Sequence, residues 1–233
     1  MKTIKVSDTT KAHYDIIIGG GYVGSNYDSL KRTDSYFASL QADFYYDNFS
    51  LQAVTSYHKT DGDNYSENGM NDFFVGASYS FKPMRDFDIR VGVGALLPTY
   101  DTTLNNNKTD YSASLNLSYT AENINIFGGY VYTMINDTDT IDNGVSYKYH
   151  DTHGYSAGLG YHFTNTFYMS GAYNYSNSIY KSIDALGVED IKTASLYGYY
   201  AIDSSYFLIF NYAYGLSDSA SDHLASVKFG LYF

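Results

Sequence analysis

Six histidines and a scatter of carboxylates are the side chains from which chemistry could be built. The chain has no cysteine, which removes a thiolate nucleophile, a thiolate metal site and any disulfide framework. His58, His150, His153 and His223 fall in polar stretches with acids close by, the setting from which a hydrolase draws a general base. No Ser-His or Asp-His pair is tied together by spacing, however, so solvated histidines are the simpler reading and a rim-active hydrolase the sharper alternative. Asp137, Asp139, Asp142, Asn143 and Gly144 have the composition of a calcium loop, but Ile141 stands where a third oxygen ligand belongs, and an acidic surface loop is expected instead. His13 and His162 are too isolated to predict a metal centre. Gly19-Gly20-Gly21 has no helix after it to make a phosphate loop, so it reads as a place where a strand bends or relieves crowding. No cofactor and no metal follow from these residues.

A second set of charges has a regular setting. Asp88 and Arg90 alternate with Phe87, Ile89, Val91, Val93, Ala95 and Leu97, which is a period of two and therefore a strand. The same alternation sets Tyr111, Ala113, Leu115, Leu117 and Tyr119 against Ser112, Ser114, Asn116 and Ser118, and Tyr36 to Tyr46 against Phe37 and Asp43. The last stretch, His223 to Phe233, carries Ala225, Val227, Phe229, Leu231 and Phe233 on one face and Lys228 on the other.

Twelve such segments can be counted. Polar stretches at 28–34, 60–69, 99–109, 136–150, 177–188 and 217–222 alternate with short turns at Asp47-Asn48, around Pro83, at Ala121-Glu122-Asn123, Thr164-Asn165-Thr166 and Asp203-Ser204-Ser205. Each segment is about 10 to 12 residues, enough to cross a bilayer at a tilt. The 29 tyrosines and 14 phenylalanines suit interfacial girdles, since tyrosine joins an apolar ring to a wet hydroxyl. A mean hydropathy of −0.31 argues against membrane helices but not against a barrel, where wet and greasy faces cancel. A soluble sandwich or lipocalin-like barrel is disfavoured, because twelve outward faces ending in tyrosine exceed what one core can hold. The net charge of −11 makes nucleic acid an unsuitable partner.

The expectation is therefore one all-β domain over residues 1–233, a closed antiparallel up-and-down barrel with a polar lead at 1–11. That lead has no apolar core, so an export signal is expected to have been removed. The final strand, ending on Phe233, resembles the closing strand of bacterial outer-membrane barrels. The resemblance implies that Phe233 is an assembly signal read by the barrel-assembly machinery, and that lipid and lipopolysaccharide surround the wall. Long loops would then lie outside the cell and both termini in the periplasm.

Gly92 to Thr99, followed by Asp101 and a polar stretch into Asp110-Tyr111, is similar to the glycine-rich strand and Pro-Thr corner of the meta-pathway phenol-degradation outer-membrane transporters. Tyr214 to Asp222 resembles the same family's closing hairpin. Tyr100 and Ala220-Ser221 depart from its usual glycine and Ser-Pro. The resemblance implies a transport channel and supplies no catalytic residue.

Twelve strands should enclose a narrow path for a small solute. Asp43, Asp88, Arg90, Asp110 and Lys228 are the expected lumen charges that set selectivity. Phe37, Phe74, Phe127 and Phe207 also read as inward, either as an apolar track for a hydrophobic or aromatic solute or as packing under a loop or plug. The alternative to a channel is a secretion pore or anchoring barrel whose plug segment is absent.

Overall fold

The computed structural model describes residues 12–25, 32–63, 66–99, 108–136, 138–141, 145–179 and 189–233. Its regular elements are strands: β1 His13–Ser25, β2 Thr33–Tyr46, β3 Phe49–Gly62, β4 Ser66–Met70, β5 Phe73–Met84, β6 Phe87–Leu97, β7 Asp110–Ala121, β8 Ile124–Met134, β9 Thr138–Ile141, β10 Val145–Lys148, β11 Thr152–His162, β12 Phe167–Ser176, β13 Ile191–Ala201, β14 Tyr206–Gly215 and β15 His223–Tyr232. No helix among the described residues is long and apolar enough to cross a membrane, which bears only on helical spans.

Each wall strand pairs antiparallel with its chain neighbours, and the ring closes because β1 pairs with both β2 and β15. At the seam Tyr14 and Phe233 exchange backbone hydrogen bonds of 3.2 and 2.9 Å. The closed antiparallel barrel has twelve wall strands, because β4 and β5 together make one of them and β9–β10 is a separate hairpin. Among the described residues closure leaves the wall itself no open sheet edge, the condition for a β-structure in lipid, while β4, paired with β3 alone, extends the wall at the long-loop end.

β4 and β5 both pair with β3, on either side of a break at Asn71-Asp72. The break is pinned from both sides. Asn71 N donates to Ser56 O (2.7 Å), Thr99 N to Asp72 Oδ1 (3.2 Å) and Thr99 Oγ1 to Asn71 O (2.7 Å). The Pro98-Thr99 corner thus fastens the end of β6 to the interrupted strand.

Three details differ from the sequence expectation. The polar stretch 60–69 is mostly sheet, with β3 reaching Gly62 and Asp61 opposite Ser66. Neither face of it is apolar, so hydropathy had no contrast to report. Pro83 lies inside β5 rather than in the turn, at a register irregularity between Phe81 and Met84 where a missing donor costs no ladder bond. The stretch 136–150 contains the β9–β10 hairpin.

Two turns use left-handed backbone at non-glycine residues, Asp47 (φ 53°) and Glu122 (φ 52°). Each is the first residue of a two-residue connection, where positive φ matches the strands' twist.

Burial is inverted relative to a water-soluble domain. The described buried apolar side chains are Ile17, Phe207 and Ala220, whereas Asp15, Ser25, Asp43, Asp110, Ser170, Asn177, Ser178 and Ser226 are buried and polar. Large apolar side chains cover the outside instead, among them Val93 (65% exposed), Leu159 (61%) and Ile18 (56%). Leaving that surface in water would be costly, at roughly 25 cal/mol per Å². In hydrocarbon it costs nothing.

Aromatics band both ends of this outer surface. Tyr14, Tyr46, Phe49, Phe81, Tyr161 and Phe163 are exposed near the short-turn end, and Tyr36, Tyr57, Tyr111, Tyr155, Tyr212 and Tyr214 near the long-loop end.

Candidate lumen site

The inward faces of β2 to β7 are mainly small polar residues and a few charges, with Phe37, Tyr45 and Phe74 among them, because serine and glycine occupy many of the alternate positions there. Asp43 is fixed by two amides, with Gln41 Nε2 donating to Oδ2 (2.8 Å) and Gln52 Nε2 to Oδ1 (3.0 Å). Ser50 and Ser78 hydroxyls bond across β3 and β5 (2.6 Å). Arg90 Nε donates to Ser80 Oγ (2.8 Å).

A cavity of about 210 Å³ opens between these strands, with Asp43, Tyr45 and Gln52 on one side, Arg90 on another, and Ser112, Ser114 and Phe74 completing it. An acid and a guanidinium therefore face a shared wet space. The field across it would orient a dipolar or charged solute. Phe74 lies flat over glycines: a Cβ on Gly94 would come within 2.6 Å of its ring and one on Gly76 within 2.9 Å.

The inward faces of β8 and β11 to β15 differ. Phe127 lies over Gly158, Tyr168 over Gly160 and Phe207 over Gly230, so that a Cβ on any of these glycines would overlap a ring. Phe37 covers Gly21 in the same way, within 2.5 Å. The four inward phenylalanines thus rest in glycine niches of the wall. Tyr232 packs on Phe207 (centroids 4.6 Å), Tyr199 on Phe207 (5.6 Å) and Tyr168 on Tyr197 (6.2 Å). Tyr199 and Tyr232 share a hydrogen bond through their hydroxyls, and Tyr168 OH donates to Asn125 Oδ1 (3.2 Å). Hydroxyl partners are what allow tyrosine to be buried in such a layer.

The expected lumen charges occupy unlike settings. Asp43 and Arg90 share the cavity. Asp88 lies two positions before Arg90 on β6 and pairs with Ser118 across the ladder. Lys228 is on β15 beside Gly19, whose missing side chain makes room for it: a Cβ there would come within 2.5 Å of Lys228 Cγ. Asp110 is buried at the long-loop end, where its Oδ1 accepts from Asn136 N (2.8 Å) and holds the exit of β8.

Sequence reasoning passed over Gln41, Tyr45, Gln52, Tyr168, Tyr199 and Tyr232. Their parity placed them inward. Their partners sit on other strands, so only the register reveals the contacts.

The rim histidines bond tyrosines. His153 Nδ1 is 2.8 Å from Tyr130 OH, and His223 Nδ1 is 2.8 Å from Tyr212 OH. Beside the first pair, Tyr132 OH donates to Asp151 Oδ2 (2.5 Å). In the β3–β4 extension, hydrogen bonds from Lys59 and then Ser66 hold the Asp61 carboxyl below the usual carboxylate range. Among the described residues no group of three or more His, Cys, Asp or Glu side chains comes together as a metal site. In the calcium-like stretch, Asp137 and residues 142–144 lie outside the described residues.

Several solved structures share the architecture. The COG4313 outer membrane channel from Pseudomonas putida F1 superposes with a TM-score of 0.72 at 11% identity, over 96% of each chain. The NanC porin gives 0.62 at 16% identity, over 94% of this chain and 98% of that one. The KdgM porin, solved in complex with disordered oligogalacturonate, gives 0.54 at 11% identity, over 94% and 98%. At these identities the likeness is one of fold. No curated protein matches the sequence. The model of a family described as a protein of unknown function, DUF3187, matches residues 43–207, from the amide-held Asp43 to the buried Phe207, and the chain belongs to that family.

Proposed function

We propose that this protein is a bacterial outer-membrane channel for the passive passage of a small solute, with its long loops outside the cell and both termini in the periplasm. The inverted burial carries this reading: apolar side chains cover the outside of a closed wall, and the buried set is mainly polar. A cavity with Asp43 on one flank and Arg90 on the other supports a route on which selectivity is electrostatic. Barrels of the same fold that are named channels and porins support it as well.

The solute is small and polar, with an apolar portion that passes over Phe74. The likeness of Gly92 to Thr99 to the meta-pathway transporters supports that apolar portion. Phe233 is the signal through which the assembly machinery handles the last strand, and lipid and lipopolysaccharide contact the wall. Histidines tied to tyrosines at the rim support a passive barrel over a hydrolase.

Planar-bilayer recording of the refolded barrel tests the reading. Steady current is expected, with cation preference rising in Arg90→Ala as the positive flank is lost. Absence of current from correctly folded protein, or selectivity indifferent to Arg90, would refute it.

A further inference from the structure

Asp15 is an acid of the inner wall whose environment the channel reading does not explain. It is paired across the β1–β2 ladder with Asp43 and across the β1–β15 ladder with Tyr232. Directly paired residues on one sheet face have Cβ atoms about 5 Å apart. Both carboxylates are buried, Asp15 at 7% exposure and Asp43 at 5%. Asp15 Oδ1 is sealed from solvent and has no hydrogen-bond partner.

Burying two carboxylates as cross-strand neighbours is costly unless donors or a counter-charge offset the lost hydration. Positive charge nearby is sparse. His13, which stacks on Tyr45 (centroids 4.6 Å), is the basic side chain within electrostatic reach of Asp15, and Arg90 faces Asp43 and Tyr45 only across the cavity. Asp43 is orientated by two amide donors, one to each oxygen, with the Tyr45 hydroxyl as a further hydrogen-bond partner. Amide donors behind a ligating carboxylate are the usual means of fixing it.

Resting on the channel reading, we propose that Asp15 and Asp43 form a binding step for a compact divalent cation just inside the short-turn mouth. Two carboxylates cancel a charge of +2, and the neighbouring Tyr45, bonded to Asp43, and Tyr232, opposite Asp15 on the ladder, add hydroxyl oxygens of the class hard cations take. With only two charged ligands the affinity falls in the weak range, ~0.1–1 mM. A step on a conduction path must be weak enough to release its ion.

The test uses the full refolded chain, wild type and Asp15→Asn, with Asp43→Asn as the second variant should the first not fold. Asp86→Asn, an exposed turn acid at the same end, is the control. In bilayers, millimolar CaCl2 is expected to reduce wild-type potassium current at least twofold, with tetramethylammonium chloride at equal ionic strength far weaker. The Asn variants are expected to lose the block and Asp86→Asn to keep it. Equal effects of both salts, or block that survives in Asp15→Asn and Asp43→Asn, would overturn the proposal.

Thermal unfolding in detergent gives a readout independent of conduction. CaCl2 is expected to raise the wild-type midpoint and leave the Asn variants unmoved. If no current is seen but this shift appears, the channel reading fails and the cation site stands. If current is seen without block or shift, the site fails and the channel stands.

Discussion

The two arcs of the inner wall solve one packing problem in opposite ways. Both are strands of a single closed sheet with side chains alternating inward. From β2 to β7 the inward positions are mainly serine, glycine, glutamine and a few charges, which leave a cavity of about 210 Å³. From β12 to β15 they include Tyr168, Tyr197, Tyr199, Phe207 and Tyr232, stacked on one another and on glycines. The same backbone therefore carries a wet arc with open space and a dry arc packed with rings at its short-turn end, above which Asn174 bonds Ser195 and Asn211 bonds Ser226 across the strands. Substitutions in the ring layer should therefore move stability, and substitutions beside the open space should move conduction.

The largest effect is expected at Phe207, which is 3% exposed and wedged between Tyr199, Tyr232 and Gly230. Phe207→Ala should lower stability by about 3–5 kcal/mol, read from urea unfolding of the refolded barrel, with conductance nearly unchanged. Gly230→Ala should cost about 1–3 kcal/mol through overpacking against the same ring. In the double variant the two costs should not add, because the ring that the new methyl meets is gone. Additive costs would show that ring and glycine are not packed as described.

A smaller stability effect and a larger functional one are expected at Phe74. It faces the cavity and rests over Gly76 and Gly94. Phe74→Ala should enlarge the wet space, so single-channel conductance should rise while the urea midpoint falls less than for Phe207→Ala. A fall in conductance would mean that Phe74 props the path open.

The smallest effect is expected at the long-loop rim. The Lys59–Asp61 pair (2.8 Å) is solvent-exposed, and such pairs contribute little. Lys59→Ala should leave the urea midpoint and the current unchanged.

How much of this could be seen in the chain follows from what alternation encodes. Segments such as Phe87 to Leu97 and Tyr111 to Tyr119 announce strand, face and boundary at once, since one face meets lipid and the other water. The wall count follows from them. The β3–β4 extension was invisible because both of its faces meet water, and Pro83 misled because proline's disfavour in strands does not hold at a register irregularity.

Parity also placed Asp43, Arg90 and Phe207 on the inside. It could not say that Asp15 would face Asp43, or that Gly230 would lie beneath Phe207, since cross-strand partners depend on register and register depends on every turn around the ring. Asp110 shows the same limit. Parity turns it inward, and only the fold shows that its Oδ1 accepts from the Asn136 backbone at the long-loop end.

The division of the wall can be probed most directly by cysteine accessibility, because the chain has no cysteine of its own. Ser78→Cys and Ser114→Cys place a thiol on the wet arc, and Ser170→Cys places one at a buried position on the dry arc. A water-soluble cationic thiosulfonate applied during bilayer recording should react rapidly at positions 78 and 114 and step the current down, while position 170 stays unreactive. Equal reaction at all three positions, or modification at 78 and 114 without any change in current, would contradict a path that runs along one arc.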